Sequence, residues 1–457
     1  MGALRQSAAP LPSIRVDVVE AGARTPRSSL PCVIGQNLKF STESMESYFF
    51  AQWEPVVYDA LLVAAAVEYC DRTQRRPALA WGREIELCVP VHDPDRWNQK
   101  TVAETLHQTL DFLTGDRWQI SFYARKQPLS PPRQGQFRLS GNASAVTPFS
   151  DGLDSRAVAG LMARSLGDKL IRIRLGHTLS HPRQPFTAVP YKVLSVQRDF
   201  VESSARSRGF KFALIAGVAA YFANAGQIIV PESGQGALGP ALLPVGQAYE
   251  DYRSHPLFTN RMEQFLAALL GLRATFQFPQ LWQTKGETLS RFVNECDDGS
   301  SWAETWSCWQ QSRHVSVENQ KRQCGICAAC MLRRLSVHAA GLAEPKATYV
   351  WEDLGAPTFE AGAAAAFDRK KITHAMREYA IAGALHFDHL AGLVHSPANA
   401  EVHSLNALQL SQSCKLPLME ARTRLHRLLT QHETEWKDFM HSLGPNSFVA
   451  NWAIHSQ

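Results

Sequence analysis

A chain of 457 residues, 45% hydrophobic and 19% charged, is long enough for two or three domains and has the composition of a soluble globular protein. Its formal net charge of +5, from 47 basic against 42 acidic residues, is too mild to require a nucleic-acid partner. Nine cysteines, an odd number with three crowded together, argue against a disulfide frame and suit a metal site in a reducing compartment. No apolar run approaches the roughly 20 residues that cross a bilayer, and Arg5 has no apolar stretch behind it, so a cytoplasmic protein without a secretory signal is expected.

Residues 1–30, rich in Ser, Pro, Ala and Arg, predict a flexible leader whose alternating stretch Ser13 to Glu20 is at most an edge strand. Residues 31–140 predict a small α+β domain: helix Val56 to Arg72, strand Arg83 to Val91, helix Thr101 to Leu113 and strand Arg117 to Arg125, then a proline-rich linker from Gln127 to Gln136. Residues 141–344 alternate strand and helix, which predicts a parallel, doubly wound α/β sheet with ligands at the carboxyl ends of its strands. Residues 345–457 are helical by pattern: Ala363 to Ala384, Ser404 to Gln412 and Pro417 to Leu443. His386 to His389, HFDH, lacks an evident third ligand and is expected to pack rather than bind metal.

Two constellations carry chemistry. Ser150, Asp151, Gly152, Leu153, Asp154 and Ser155 follow an apolar run and open a helix, so loop amides and the helix dipole converge where a phosphate would sit. Asp151 and Asp154 are the carboxylates for an accompanying magnesium ion; ordinary turn chemistry is the bland alternative. Cys308, then Cys324, Cys327 and Cys330 in QCGICAAC, supply four thiolates that would close a structural zinc site. An iron and sulfur cluster is the rival.

The loop resembles the SGGxDS loop of the PP-loop ATP pyrophosphatases (the adenine nucleotide α-hydrolase-like fold), with Asp151 in place of the first glycine. The order TWSCW, then CGICAACMLRR, narrows the resemblance to QueC, the 7-cyano-7-deazaguanine synthases, over about Ala143 to Leu342. TKGE at Thr284 to Glu287 is similar to that family's TKAE, and SRGF at Ser207 to Phe210 stands where the family has GRN. The PESGQ and SHPLF segments and both terminal additions resemble the longer QueC-like proteins of bacterial antiphage systems, the QatC proteins above all.

The resemblance implies an ATP-dependent ligase that adenylates a 7-carboxy-7-deazaguanine-like base and passes it to an amine. ATP would bind at Ser150 to Ser155, with magnesium, and Asp154, Arg208 and Lys285 would be catalytic. The amine is expected to be the N-terminus of a protein partner from the same operon, with ammonia, giving the nitrile, as the alternative. Phe210, Glu232 and Gln235 are the candidate base contacts; a surface role for Glu232 in its glycine-rich loop stands beside that reading. A tRNA-thiolating enzyme and an inactive nucleotide-binding adaptor are the further alternatives, and no RNA-binding motif is legible.

Overall fold

The first strand already departs from expectation. In the computed structural model, which describes residues 11–23, 28–40, 54–77, 82–126, 143–174, 187–188, 191–193, 201–202, 204–246, 249–310, 315–395 and 399–453, β1 (Ser13–Val19) is an interior strand. It lies between β2 (Leu30–Val33) and β3 (Glu84–Val91), and β4 (Arg117–Ala124) completes the parallel order β2-β1-β3-β4. Val16, Asp17, Val18 and Val19 are buried in succession, which only a strand covered on both faces allows. Helix α1 (Pro55–Thr73) is buried along its length from Val56 to Val67, and α2 (Lys100–Thr114) connects β3 to β4. Parallel pairing with a helical crossover makes this part α/β rather than the expected α+β arrangement. The linker Gln127 to Gln136 lies outside the described residues.

A second sheet follows the expected alternation. Its strands β5 (Ala145–Phe149), β6 (Leu170–Arg174), β7 (Thr187–Ala188), β8 (Gln227–Ile229) and β9 (Thr275–Gln277) run in the order β9-β8-β5-β6-β7. The pairs β5 with β8 and β6 with β7 are parallel. Helix α3 (Leu153–Leu166) leads from β5 to β6, and α4 (Arg208–Ala223) and α5 (Pro256–Leu270) precede β8 and β9.

By contacts the chain forms two units, Met1–Val146, Ile173–Ile228 and Phe258–Thr275 in the first, and Thr147–Arg172, Ile229–Leu257 and Phe276–Gln457 in the second. The first unit buries a four-membered ion network. Arg83 Nη2 meets Asp71 Oδ1 at 2.9 Å and Asp116 Oδ2 at 2.7 Å, and Arg76 Nη2 meets the same two oxygens at 2.6 Å each. Asp71 Oδ2 also accepts the Ser207 N–H at 2.8 Å, immediately before α4.

The second unit adds α6 (Lys285–Glu295), α7 (Ala328–Ala339), α8 (His374–Gly392), α9 (Ala400–Cys414) and α10 (Leu418–Leu443) around a core containing Trp351, Phe359, Phe387 and Trp436. The helix expected from Ala363 begins only at His374, capped by Thr373. The preceding AGAAAAF stays extended or turned because tertiary contacts override alanine's helix propensity. The Ala364 N–H donates to Val350 O, Arg369 donates to the Ala363 and Ala364 carbonyls, and Ala363, Ala364 and Phe367 enter the core. Within HFDH, His386 is buried, Asp388 accepts the Trp436 indole N–H at 3.1 Å, and His389 is exposed. Among the described residues no helix is long and apolar enough to cross a membrane.

Candidate functional site

The Ser150 to Ser155 loop leaves the end of β5 and enters α3 with Gly152 as the N-cap residue. Ser150 Oγ accepts the Gly152 N–H at 3.2 Å and lies 2.9 Å from Ser155 Oγ, so the two hydroxyls pin the turn from inside. Asp151 is exposed at the tip, and its carbonyl accepts the Trp306 N–H at 2.7 Å. Leu153 packs into the core with Ala157, Leu289 and Phe292, which anchors the first turn of α3.

Asp154 is buried and shared between two segments. Its Oδ1 accepts the Ser233 hydroxyl at 3.0 Å, and its Oδ2 is ion-paired with Lys285 Nζ. Lys285 is also buried and is the first residue of α6. Thr284 caps that helix in a reciprocal box: its Oγ1 accepts the Glu287 N–H at 3.1 Å, and Glu287 accepts the Thr284 N–H at 2.8 Å. The TKGE segment is therefore a helix start that holds an ammonium at the dipole's positive end, where only a carboxylate or another anion balances it.

Glu232 and Gln235 come from the loop and single helical turn Gly234–Ala237 after β8. Gly234 has no room for a side chain, since a Cβ would lie 2.2 Å from Leu281 O and 2.6 Å from a Leu428 methyl carbon. Burial, then the Asp154 charge, push the Glu232 carboxyl up to about 8, against the opposing pull of Lys285 and Arg253. At neutral pH Glu232 thus holds its proton and presents an O–H donor as well as an acceptor. Gln235 is buried with both ends of its amide on protein partners: Oε1 accepts the Lys285 N–H at 2.8 Å, and Nε2 lies 2.8 Å from His432 Nδ1.

The remaining candidates lie in the first unit. Arg208 is exposed at the start of α4, its guanidinium 5.2 Å from the Phe212 ring centre. Phe210 is fully buried, 5.9 Å from the Phe265 ring.

Four cysteines form a separate centre in the second unit. The sulfurs of Cys308, Cys324, Cys327 and Cys330 all lie within 4.8 Å of one another, and all four residues are buried. A tetrahedral zinc with Zn–S bonds near 2.3 Å requires sulfurs about 3.8 Å apart; Cys324 and Cys330 are 3.7 Å apart. The Cys324 and Gln310 N–H groups donate to Cys308 Sγ at 3.2 and 3.3 Å, and the Cys327 N–H donates to Cys324 Sγ at 3.3 Å. Such donors favour thiolates, which is the state a metal needs. The residues fit a structural zinc that ties Cys308 to the start of α7, and no open position is left for a substrate.

Sequence reasoning missed His432 and Glu435 of α10. Glu435 Oε1 accepts the Thr284 hydroxyl and, at 3.2 Å, an N–H of Gln431, while Oε2 is buried without a partner. Burial pushes its carboxyl up to about 7. The signal was present: both residues occupy the buried stripe that also holds Leu425, Leu428, Trp436 and Phe439, where leucine would be the cheaper choice.

Residues 243–341 match the family profile described as Queuosine biosynthesis protein QueC. The matched segment contains Lys285 and all four cysteines and leaves out Ser150 to Ser155, Glu232, Gln235 and helices α8 to α10. No curated protein matches the chain.

Proposed function

We propose that the protein uses ATP to activate a 7-deazaguanine carboxylate and transfers it to an amine. The observation that carries this reading is Lys285, which lies inside the QueC-like segment and meets Asp154 of the phosphate-type loop in a buried ion pair. A carboxylate oxygen of the base attacks the α-phosphorus of ATP, and the bond from that phosphorus to the bridging oxygen breaks to release pyrophosphate. The Lys285 ammonium and the amides at the start of α3 balance the charge that builds on the leaving group. The amine nitrogen then attacks the acyl carbon, the carbon to AMP-oxygen bond breaks, and the amine gives up a proton. Asp151, exposed at the loop tip, is the residue that would face magnesium, which supplies further neutralisation of phosphate charge. Glu232 is the candidate contact to the guanine-like edge of the base.

The acceptor in this reading is the N-terminus of a partner protein, in bacterial antiphage defence. Its support is the resemblance to the longer QueC-like defence proteins and the large share of chain outside the matched segment. Ammonia as acceptor, giving the amide, whose oxygen is then activated by a second ATP and leaves with AMP to yield 7-cyano-7-deazaguanine, is the alternative that the profile match itself favours. Purified protein given ATP and 7-carboxy-7-deazaguanine, with ammonia or with each operon partner, separates them. Conjugation predicts AMP and pyrophosphate together with a mass gain on a partner. Efficient nitrile formation with no mass gain selects the alternative, and absence of AMP under all conditions removes both.

A further inference from the structure

Helix α10 holds the first turn of α6 at three points. Arg427 pairs with Glu287, Glu435 accepts the Thr284 hydroxyl, and His432 reaches the Lys285 backbone through Gln235. The polarity of the last chain is dictated by chemistry. The Phe387 carbonyl, 2.9 Å from His432 Nε2, can only accept, so Nε2 carries the proton and Nδ1 is the acceptor. Nδ1 therefore takes an N–H from the Gln235 amide, and that turns Gln235 Oε1 toward the Lys285 N–H. At Thr284 the single hydroxyl proton goes to Glu435, which leaves the oxygen's lone pair for the Glu287 N–H. Every direction is consistent, and none can be reversed without stranding a buried group.

Packing alone does not require these residues. The neighbouring positions Leu425, Leu428 and Leu429 already seal α10 against Ala237, Leu238 and Leu281. A helix that only covered the core would gain by carrying leucine at 432 and 435, because a buried polar group costs about 1–3 kcal/mol when its partner is lost. What the polar residues add is one fixed geometry for the Thr284–Lys285 turn.

We propose that α10 is a positioning element of the lysine site: His432 acting through Gln235, and Glu435 acting through Thr284, set where the Lys285 ammonium stands relative to Asp154. This deepens the reading of Lys285 as the cation that faces pyrophosphate, and rests on it for its meaning in catalysis. Its structural content can be tested without ATP.

The test is the rate at which acetic anhydride acetylates Lys285 in the full-length protein, followed by peptide mass spectrometry, with zinc content and melting temperature measured alongside. His432→Leu removes the acceptor for Gln235, whereas His432→Asn places an amide oxygen near the position of Nδ1. The Leu variant should label about tenfold faster, the consequence of one lost buried hydrogen bond, and the Asn variant should label close to the wild-type rate. Gln235→Leu should match His432→Leu, and the double variant should add nothing to either, since both cut one chain. With ATP and the base present, the Leu variants should lose turnover with little change in KM for ATP, and Asn should restore it. Wild-type labelling in His432→Leu, equal labelling of Leu and Asn variants, or additive effects in the double variant would each overturn the proposal. Failure of the wild-type protein to release pyrophosphate would instead remove the reading of the reaction, while the labelling rates still decide the role of α10.

Discussion

The buried polar groups of the two units differ in kind. In the first unit Arg76, Arg83, Asp71 and Asp116 form a set closed in charge, each cation meeting both anions, although the Arg76 Nε–H has no partner. Around Lys285 the set is open: one ion pair, a chain of neutral hydrogen bonds, a Glu232 carboxyl held protonated to about 8, and a Glu435 oxygen with no partner. A closed set has nothing to gain from a ligand and acts as scaffold. An open set leaves charge and hydrogen-bonding capacity that a substrate can complete, and such unbalanced groups concentrate where chemistry is done.

The largest effect expected is in the second unit and comes from its cysteine centre. The protein should contain about one colourless zinc per chain, and chelation should unfold the region around α7, since structural zinc contributes on the order of 10 kcal/mol. Elemental analysis and circular dichroism check this, and brown protein with labile sulfide would replace zinc by a cluster. Next is the closed set itself. Asp116→Ala leaves Asp71 as the single carboxylate facing the two buried guanidiniums of Arg76 and Arg83 and should cost about 3–5 kcal/mol in chemical denaturation; a loss under 1 kcal/mol would show that the network is not the scaffold described.

Asp154→Asn should sharpen the contrast, because it touches the open set. The fold should survive while pyrophosphate release falls about 100-fold to 1,000-fold, the loss typical of one electrostatic group in a water-poor site; unchanged release in the variant would detach the loop from the reaction. The smallest effect is a pH dependence. The folded-state carboxyl of Glu435 titrates at about 7 instead of 4.5, so the folded state binds the extra proton between these values. Its contribution to stability is greatest below about 4.5 and is lost as pH rises through about 7. Glu435→Gln should therefore gain stability relative to wild type over that window, by at most about 3 kcal/mol, with no further gain above pH 8. A constant difference across pH would mean that the group does not carry the burdened proton.

The loop and the cysteine spacing were legible because their chemistry is local, whereas the start of α6 was reached only through its likeness to a family segment, although its capping box is local too. Thr284 and Glu287 form a capping box within one turn, and Cys324, Cys327 and Cys330 stand three apart. The strands and helices flanking them showed their period for the same reason. Elsewhere the deciding partners are distant. Ala363 and Ala364 have every local reason to be helical and are held out of a helix by Val350 and Arg369. β1 was underrated because its interior place depends on pairing with β3, which comes from far along the chain. His432 meets Gln235 across 197 residues and could not be linked to it from sequence.

Thr284 and Glu435 are 151 residues apart in the chain. At about 5–20 residues per second, a ribosome needs roughly 8–30 seconds to travel that distance. During this interval the lysine turn has been made but its supports have not, so a nascent chain holds an incomplete site. Synthesis of the final helices is therefore the step that completes the hydrogen bonding of the Thr284–Lys285 turn.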